Sequence, residues 1–229
     1  MIEPSEFLRI VRPALEAGDA ALLAQAVQVR WRPDELCRLL RDGEKDVRRV
    51  AAVTLGLIGD MQSVPCLTRA LRDEDEQVNQ MAEHGLWSIW FRSGDPKAAE
   101  PFRDGVALLS TESFDKAITK FHLATQIDPT FAEAYNQCGI AHYFLGQWKA
   151  AIADCRRTIR LVPAHFGATA GMGHCYAQYG KLREALRCYR RAMRINPRMT
   201  AIADAIERLE VNIQDLDSSG EFLVDQFLN

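Results

Sequence analysis

Residues 183–198, REALRCYRRAMRINPR, carry six arginines against one acid, Glu184. A segment this basic suits phosphate contacts, whose strength falls steeply with salt as counterions are released. The other chemically capable residues are scattered. The five histidines are His84, His122, His142, His165 and His174, and none sits in a metal-ligand spacing. The six cysteines, Cys37, Cys66, Cys138, Cys155, Cys175 and Cys188, show no CxxC pair. They read as reduced, packed thiols of a cytoplasmic protein. With no glycine-rich phosphate loop and no serine nucleophile motif, the sequence points to no catalytic residue, no metal ligand and no cofactor.

A chain of 229 residues with 48% hydrophobic and 26% charged residues has the balance of a globular protein with a sizeable core. No apolar run reaches membrane-spanning length, and the N-terminus MIEPSEFLRIV has acids where a signal peptide carries positive charge. Neither membrane insertion nor secretion is expected. The net charge of −3 hides an uneven layout. Residues 1–97 sum to −3, residues 98–198 to +6 and residues 199–229 to −6. A basic block ahead of an acidic tail calls for an acidic partner, or for the two to neutralise each other.

A period of 34 residues organises the basic block. Gly105, Gly139 and Gly173 keep this step, as do Ala117, Ala151 and Ala185, and Pro129, Pro163 and Pro197. Phe114, Trp148 and Leu182 follow the same register, and so do Phe121, Cys155 and Tyr189. A glycine on one helix and an alanine on the next allow two antiparallel helices to approach, the large residues fill the space beside them, and the proline ends the second helix. The pattern resembles the tetratricopeptide repeat over residues 98–198, in units 98–131, 132–165 and 166–198. The first unit departs from it: Pro101 and Asp104 replace large apolar residues, Glu112 stands where the others have Gly146 and Gly180, and the first helix is expected to start near Pro101.

Upstream the step is 31. It pairs Leu40 with Leu71, Val47 with Val78, Ala51 with Ala82, Leu55 with Leu86 and Ile58 with Ile89, a helical stripe. Asp46-Val47-Arg48 and Leu55-Gly56-Leu57-Ile58-Gly59-Asp60 resemble short HEAT repeats of the bilin-lyase type. Residues 4–41 read as further degenerate helices, broken at Pro13, Gly18 and Pro33. The expected fold is an all-α solenoid, a right-handed superhelix: HEAT-like repeats over 1–96, three tetratricopeptide units over 97–198 and a capping helix over 199–214. QDLDSSG then interrupts, leaving an acidic and apolar tail over 215–229.

The resemblance implies functions. In tetratricopeptide arrays the first helix of each unit lines a groove for a peptide. Carried over position by position, that groove comprises Phe102, Arg103, Val106, Asn136, Gln137, Ile140, Tyr143, Phe144, Ala170, His174 and Gln178. Amides there would bind an extended backbone, and the apolar sites would hold side chains. The basic clamp that some members use for chaperone carboxylate tails is replaced by Phe102, Val106, Gln137, Gly167 and Gly171. The HEAT resemblance implies an enzyme alternative, a lyase or lyase subunit, and metal-dependent hydroxylases of that class use repeated His-Glu pairs. Here only a single reversed Glu83-His84 exists.

The arginines divide by register. Ala185, Leu186, Tyr189, Ala192, Met193 and Ile195 face neighbouring helices, so Arg183, Arg187, Arg190 and Arg194 form an outer stripe. Arg156, Arg157 and Arg160 extend it. The stripe reads first as the solvated side of its helix. Without interleaved exposed aromatics or a base-reading motif, nucleic-acid binding is disfavoured, and the nearest acidic candidate for the patch is the chain's own tail. The leading expectation is a non-catalytic scaffold for a peptide or protein segment. The tail motif Phe222, Leu223, Val224, Phe227 and Leu228 stays open between docking on its own array, self-association through a second copy, and a frayed end.

Overall fold

The computed structural model describes residues 2–227, with side chains described through Asp215. The described chain is all-α, with no strand among the described residues. It divides into two compact units, Met1–Asp95 and Pro96–Asn229.

The first unit holds α1 (Pro4–Ala17), α2 (Ala20–Gln28), α3 (Pro33–Asp42), α4 (Lys45–Ile58), α5 (Val64–Ala70) and α6 (Glu76–Arg92). Local signals set these ends. Gly18 adopts φ +63° and stops α1, the Asp19 carboxylate accepts the Ala21 and Leu22 amides to open α2, and Pro33 occupies the first turn of α3. Pro13 does not break its helix as expected; it lies inside α1 on the exposed side. The carbonyl it leaves unpaired can take water, while Phe7, Val11 and Ala14 bury the opposite face.

The 31-residue stripe is the core: Val47, Ala51 and Leu55 of α4 and Val78, Ala82, Leu86 and Ile89 of α6 are at most 1% exposed. Each leucine or isoleucine contributes about 2 kcal/mol by leaving water. The two helices cross at a glycine pair, where a Cβ on Gly56 would stand 3.0 Å from the Gly85 Cα. Arg48 makes a bidentate pair with Asp73 at 2.8 Å, and Arg49 does the same with Asp75 at 2.7 and 2.8 Å, tying α4 to the turn before α6. The Arg49 guanidinium holds the Asp75 carboxyl well below the usual range.

The thiol expectation fails here. Cys37 of α3 and Cys66 of α5 form a disulfide with Cα atoms 5.8 Å apart. Stacking of successive repeats sets α3 beside α5, which brings together cysteines that sequence spacing keeps 29 residues apart. Cys138, Cys155, Cys175 and Cys188 are free and buried.

The second unit is three helical hairpins and a cap: α7 (Ala99–Ser110) with α8 (Phe114–Ile127), α9 (Ala132–Phe144) with α10 (Trp148–Leu161), α11 (Phe166–Gln178) with α12 (Leu182–Ile195), and α13 (Thr200–Phe227). The close approach inferred from the glycines is literal. A Cβ on Gly105 would meet the Phe121 ring at 2.5 Å, one on Gly173 the Tyr189 ring at 2.5 Å, and one on Gly139, less tightly, the Asp154 Cβ at 3.3 Å. Each hairpin turn needs a left-handed residue: Gly146 and Gly180 have φ of +71° and +75°, and Glu112 takes φ +58° without being glycine. Helix α7 starts at Ala99, two residues ahead of Pro101.

Ile202 and Leu209 of α13 pack with Ala170, Ala185, Tyr189 and Ala192, closing the last hairpin's apolar face. The expected interruption at QDLDSSG does not end this helix, which runs on to Phe227. Gly220 is the single strong helix-weakening residue there, and its cost of about 1 kcal/mol is below what stops a helix. The side chains of the tail motif lie outside the described residues.

Candidate functional site

The residues expected in the groove divide into three sets. Arg103, Phe144, His174 and Gln178 are exposed, Val106, Ile140 and Tyr143 are half-buried, and Phe102, Asn136, Gln137 and Ala170 are buried. The buried set is a correction to the carried-over groove. Phe102 belongs to the core of the first hairpin, with its ring 4.6 Å from Phe131 and 6.0 Å from Phe121. Ala170 sits in the cluster that α13 covers.

Asn136 and Gln137 turn their amides inward. Asn136 Nδ2 and Gln137 Nε2 donate to Glu133 Oε1 at 3.0 and 2.6 Å. The other carboxylate oxygen, Glu133 Oε2, is 2.9 Å from His165 Nε2, and both side chains are fully buried. His165 Nδ1 accepts the Ala168 amide at 3.0 Å and caps α11. The ring proton therefore sits on Nε2 and is donated to Glu133. These amide donors are committed to a buried carboxylate rather than to a peptide backbone. The sequence reading passed over Glu133 and His165, and the signal was available: an acid one helical turn before two amides has them as its nearest polar neighbours.

What remains open is an aromatic row. Phe144, 61% exposed at the end of α9, stacks on Phe114 at 5.1 Å and meets Tyr143 edge-on. Tyr143 packs on Trp148 at 5.3 Å and reaches His174 of α11 at 6.4 Å. His174 Nδ1 is 2.7 Å from the Tyr189 hydroxyl. Burial pushes the Tyr189 phenol up to about 12 and lowers the His174 pKa, so a protonated phenol and a neutral ring share one hydrogen bond. His174 thereby keeps its other ring nitrogen, Nε2, as a polar group beside the aromatic row. The row spans neighbouring first helices of two units, α9 and α11.

The arginine stripe is placed as its register implied: Arg183, Arg187, Arg190 and Arg194 are exposed on α12. Arg190 pairs with Glu210 of α13 at 2.7 Å and Arg187 with Glu184 at 3.7 Å, both across exposed surface. Arg156 donates to the Tyr176 hydroxyl at 2.7 Å. Arg157 donates to the Pro129 carbonyl at 3.0 Å and covers the Tyr135 ring, and Arg160 is exposed on the same helix. The first unit contributes a separate apolar cavity of about 430 Å³ lined by Leu15, Leu23, Val53, Leu57, Met81 and His84. No helix among the described residues is long and apolar enough to cross a membrane.

Comparisons with known proteins agree with these elements. A model of HEAT repeats matches residues 33–113, running past the end of α6 and through the whole of α7, and a model of the tetratricopeptide repeat matches residues 170–199. The chain is 27% identical over 107 residues to anaphase-promoting complex subunit 3 of Schizosaccharomyces pombe, covering 47% of this chain and 16% of that protein. It is 34% identical over 156 residues to protein bimA of Emericella nidulans, covering 68% of this chain and 19% of that one. The chain thus spans less than a fifth of the length of either relative. Among solved structures, the first tetratricopeptide domain of Spaghetti (RPAP3), bound to the HSP90 peptide SRMEEVD, superposes with a TM-score of 0.51 at 19% identity. That likeness covers 53% of this chain and 97% of the domain.

Proposed function

We propose that this chain, which carries HEAT and tetratricopeptide repeats, is a non-catalytic adaptor that binds an extended protein segment by its apolar side chains along the α9–α11 aromatic row. The observation that carries this reading is Phe144, a large apolar ring 61% exposed yet aligned with Phe114, Tyr143 and Trp148. Pre-ordered aromatic surface of this kind supplies interface energy at low entropic cost. With Asn136 and Gln137 committed to Glu133, affinity comes from side-chain contacts and from the second ring nitrogen of His174 rather than from amide grips on the backbone.

The segment is not a carboxylate-terminated chaperone tail. Phe102, Val106, Gln137, Gly167 and Gly171 place no positive charge where the clamp would need one.

Selection of peptides from a displayed library on the full chain, followed by affinity measurement, tests the reading. Phe144→Ala is expected to weaken a selected peptide about tenfold or more, the loss of roughly 1.4 kcal/mol typical of an aromatic anchor. Arg187→Glu should leave it unchanged, and the peptide SRMEEVD should not compete. Peptides whose affinity ignores Phe144→Ala would overturn the proposal.

A further inference from the structure

We propose that His122, Cys138, His142 and Asp154 form a binding site for a divalent transition-metal ion of the zinc class, joining α8, α9 and α10. One ligand atom from each of His122, Cys138 and His142 lies within 4.8 Å of the other two. Asp154 Oδ2 lies beside the group, 3.6 Å from His142 Nε2. That oxygen is buried and accepts no hydrogen bond.

The protonation pattern suits a metal. His142 Nδ1 is 2.6 Å from Gln147 Oε1, an oxygen that can only accept, so the ring carries its proton on Nδ1 and turns the Nε2 lone pair to the cluster. This is the outer-shell contact that orients ligating histidines. Bonds of about 2.0–2.3 Å to a tetrahedral ion put ligand atoms roughly 3.3–3.7 Å apart. The His142 to Asp154 separation already fits, and the His122, Cys138 and His142 ligand atoms close from within 4.8 Å of one another as the ion binds.

Charge also balances. Two neutral imidazoles, one thiolate and one carboxylate supply two negative charges for one dication, so the occupied site is neutral. The Cys138 thiol gives its proton to solvent as the sulfur–metal bond forms. Without a cation, burial and the neighbouring carboxylate hold that thiol protonated, and burial raises Asp154 as well. A dication reverses both tendencies. Two nitrogens and a sulfur disfavour magnesium and calcium, and four protein ligands leave no open position for catalysis. The ion would be structural, entering past the exposed His122.

Repeat packing does not require these residues. One unit on, the equivalent positions are Arg156, Met172, Tyr176 and Cys188, and one unit back from Cys138, His142 and Asp154 they are Asp104, Leu108 and Lys120. Among the described residues, only the junction of the first and second hairpins assembles a ligand set. Sequence reading expected no metal because the ligands come from three helices. The legible trace was Cys138 and His142, one turn apart on one face of α9.

Cobalt titration of the chelator-stripped full chain tests this. One equivalent of Co²⁺ should produce visible d–d bands and a thiolate-to-cobalt charge-transfer band, both removed by Zn²⁺. Cys138→Ser should abolish the charge-transfer band. His122→Ala, at an exposed position that leaves the core intact, should lower Co²⁺ affinity at least about tenfold. A chain that shows no charge-transfer band at one equivalent, or a band that persists in Cys138→Ser, overturns the site. If Cys138→Ser does not fold, His122→Ala decides: folded by circular dichroism and with unchanged affinity, it overturns the site too.

Discussion

Glu133 holds three donors at once, from Asn136, Gln137 and His165, in a place without water access. Removing it takes the carboxylate from all three, and each buried donor left unsatisfied costs about 1–3 kcal/mol. Glu133→Ala should therefore destabilise the second unit by about 3 kcal/mol or more, read as a lower midpoint in urea with an unchanged slope. Glu112 is the opposite case. It occupies a left-handed turn where its repeat mates are glycines. Glu112→Gly should raise stability by about 1 kcal/mol, the cost of that backbone region for a residue with a Cβ. A fall in melting temperature would show that the Glu112 side chain contributes more than its backbone loses.

At the scale of elements, the disulfide between α3 and α5 closes a loop over a separation of 29 residues. The chain-entropy model assigns such a loop about 3–4 kcal/mol. Reductant should lower the thermal transition of the first unit, and Cys37→Ser should show the lowered transition whether or not reductant is present. The 34-residue step was legible in the sequence because sterics repeat: Gly105 and Gly173 lie under Phe121 and Tyr189, where no other residue fits. The stripe from Val47 to Ile89 was legible through its helical spacing. Pairing between elements was not. Spacing alone hid that α3 and α5 bring Cys37 to Cys66, that Pro13 sits on a wet face, and that Asn136 and Gln137 turn to Glu133. Each depends on which side of a helix its neighbours cover, a matter of packing rather than period.

Across the whole molecule, the acidic C-terminal charge meets the basic block at Arg190 and Glu210, a pair too exposed to contribute more than a few tenths of a kcal/mol. The apolar contact of α13 matters more. Ile202 and Leu209 are 5% and 8% exposed, and each is worth about 2 kcal/mol. A chain ending at Met199 should lose about 4 kcal/mol and associate through the uncovered face of α12, visible as higher-order species by light scattering. Retention of the full-length melting temperature would show that the third hairpin closes itself.

The division of the cysteines has a practical consequence. The first unit's pair is oxidised, and every free thiol, Cys138, Cys155, Cys175 and Cys188, is buried in the second unit. A thiol reagent can reach these sulfurs only when a hairpin opens. The unmutated chain thus carries its own clock, in which the rate of alkylation in native buffer times the breathing of the second unit while the first stays silent.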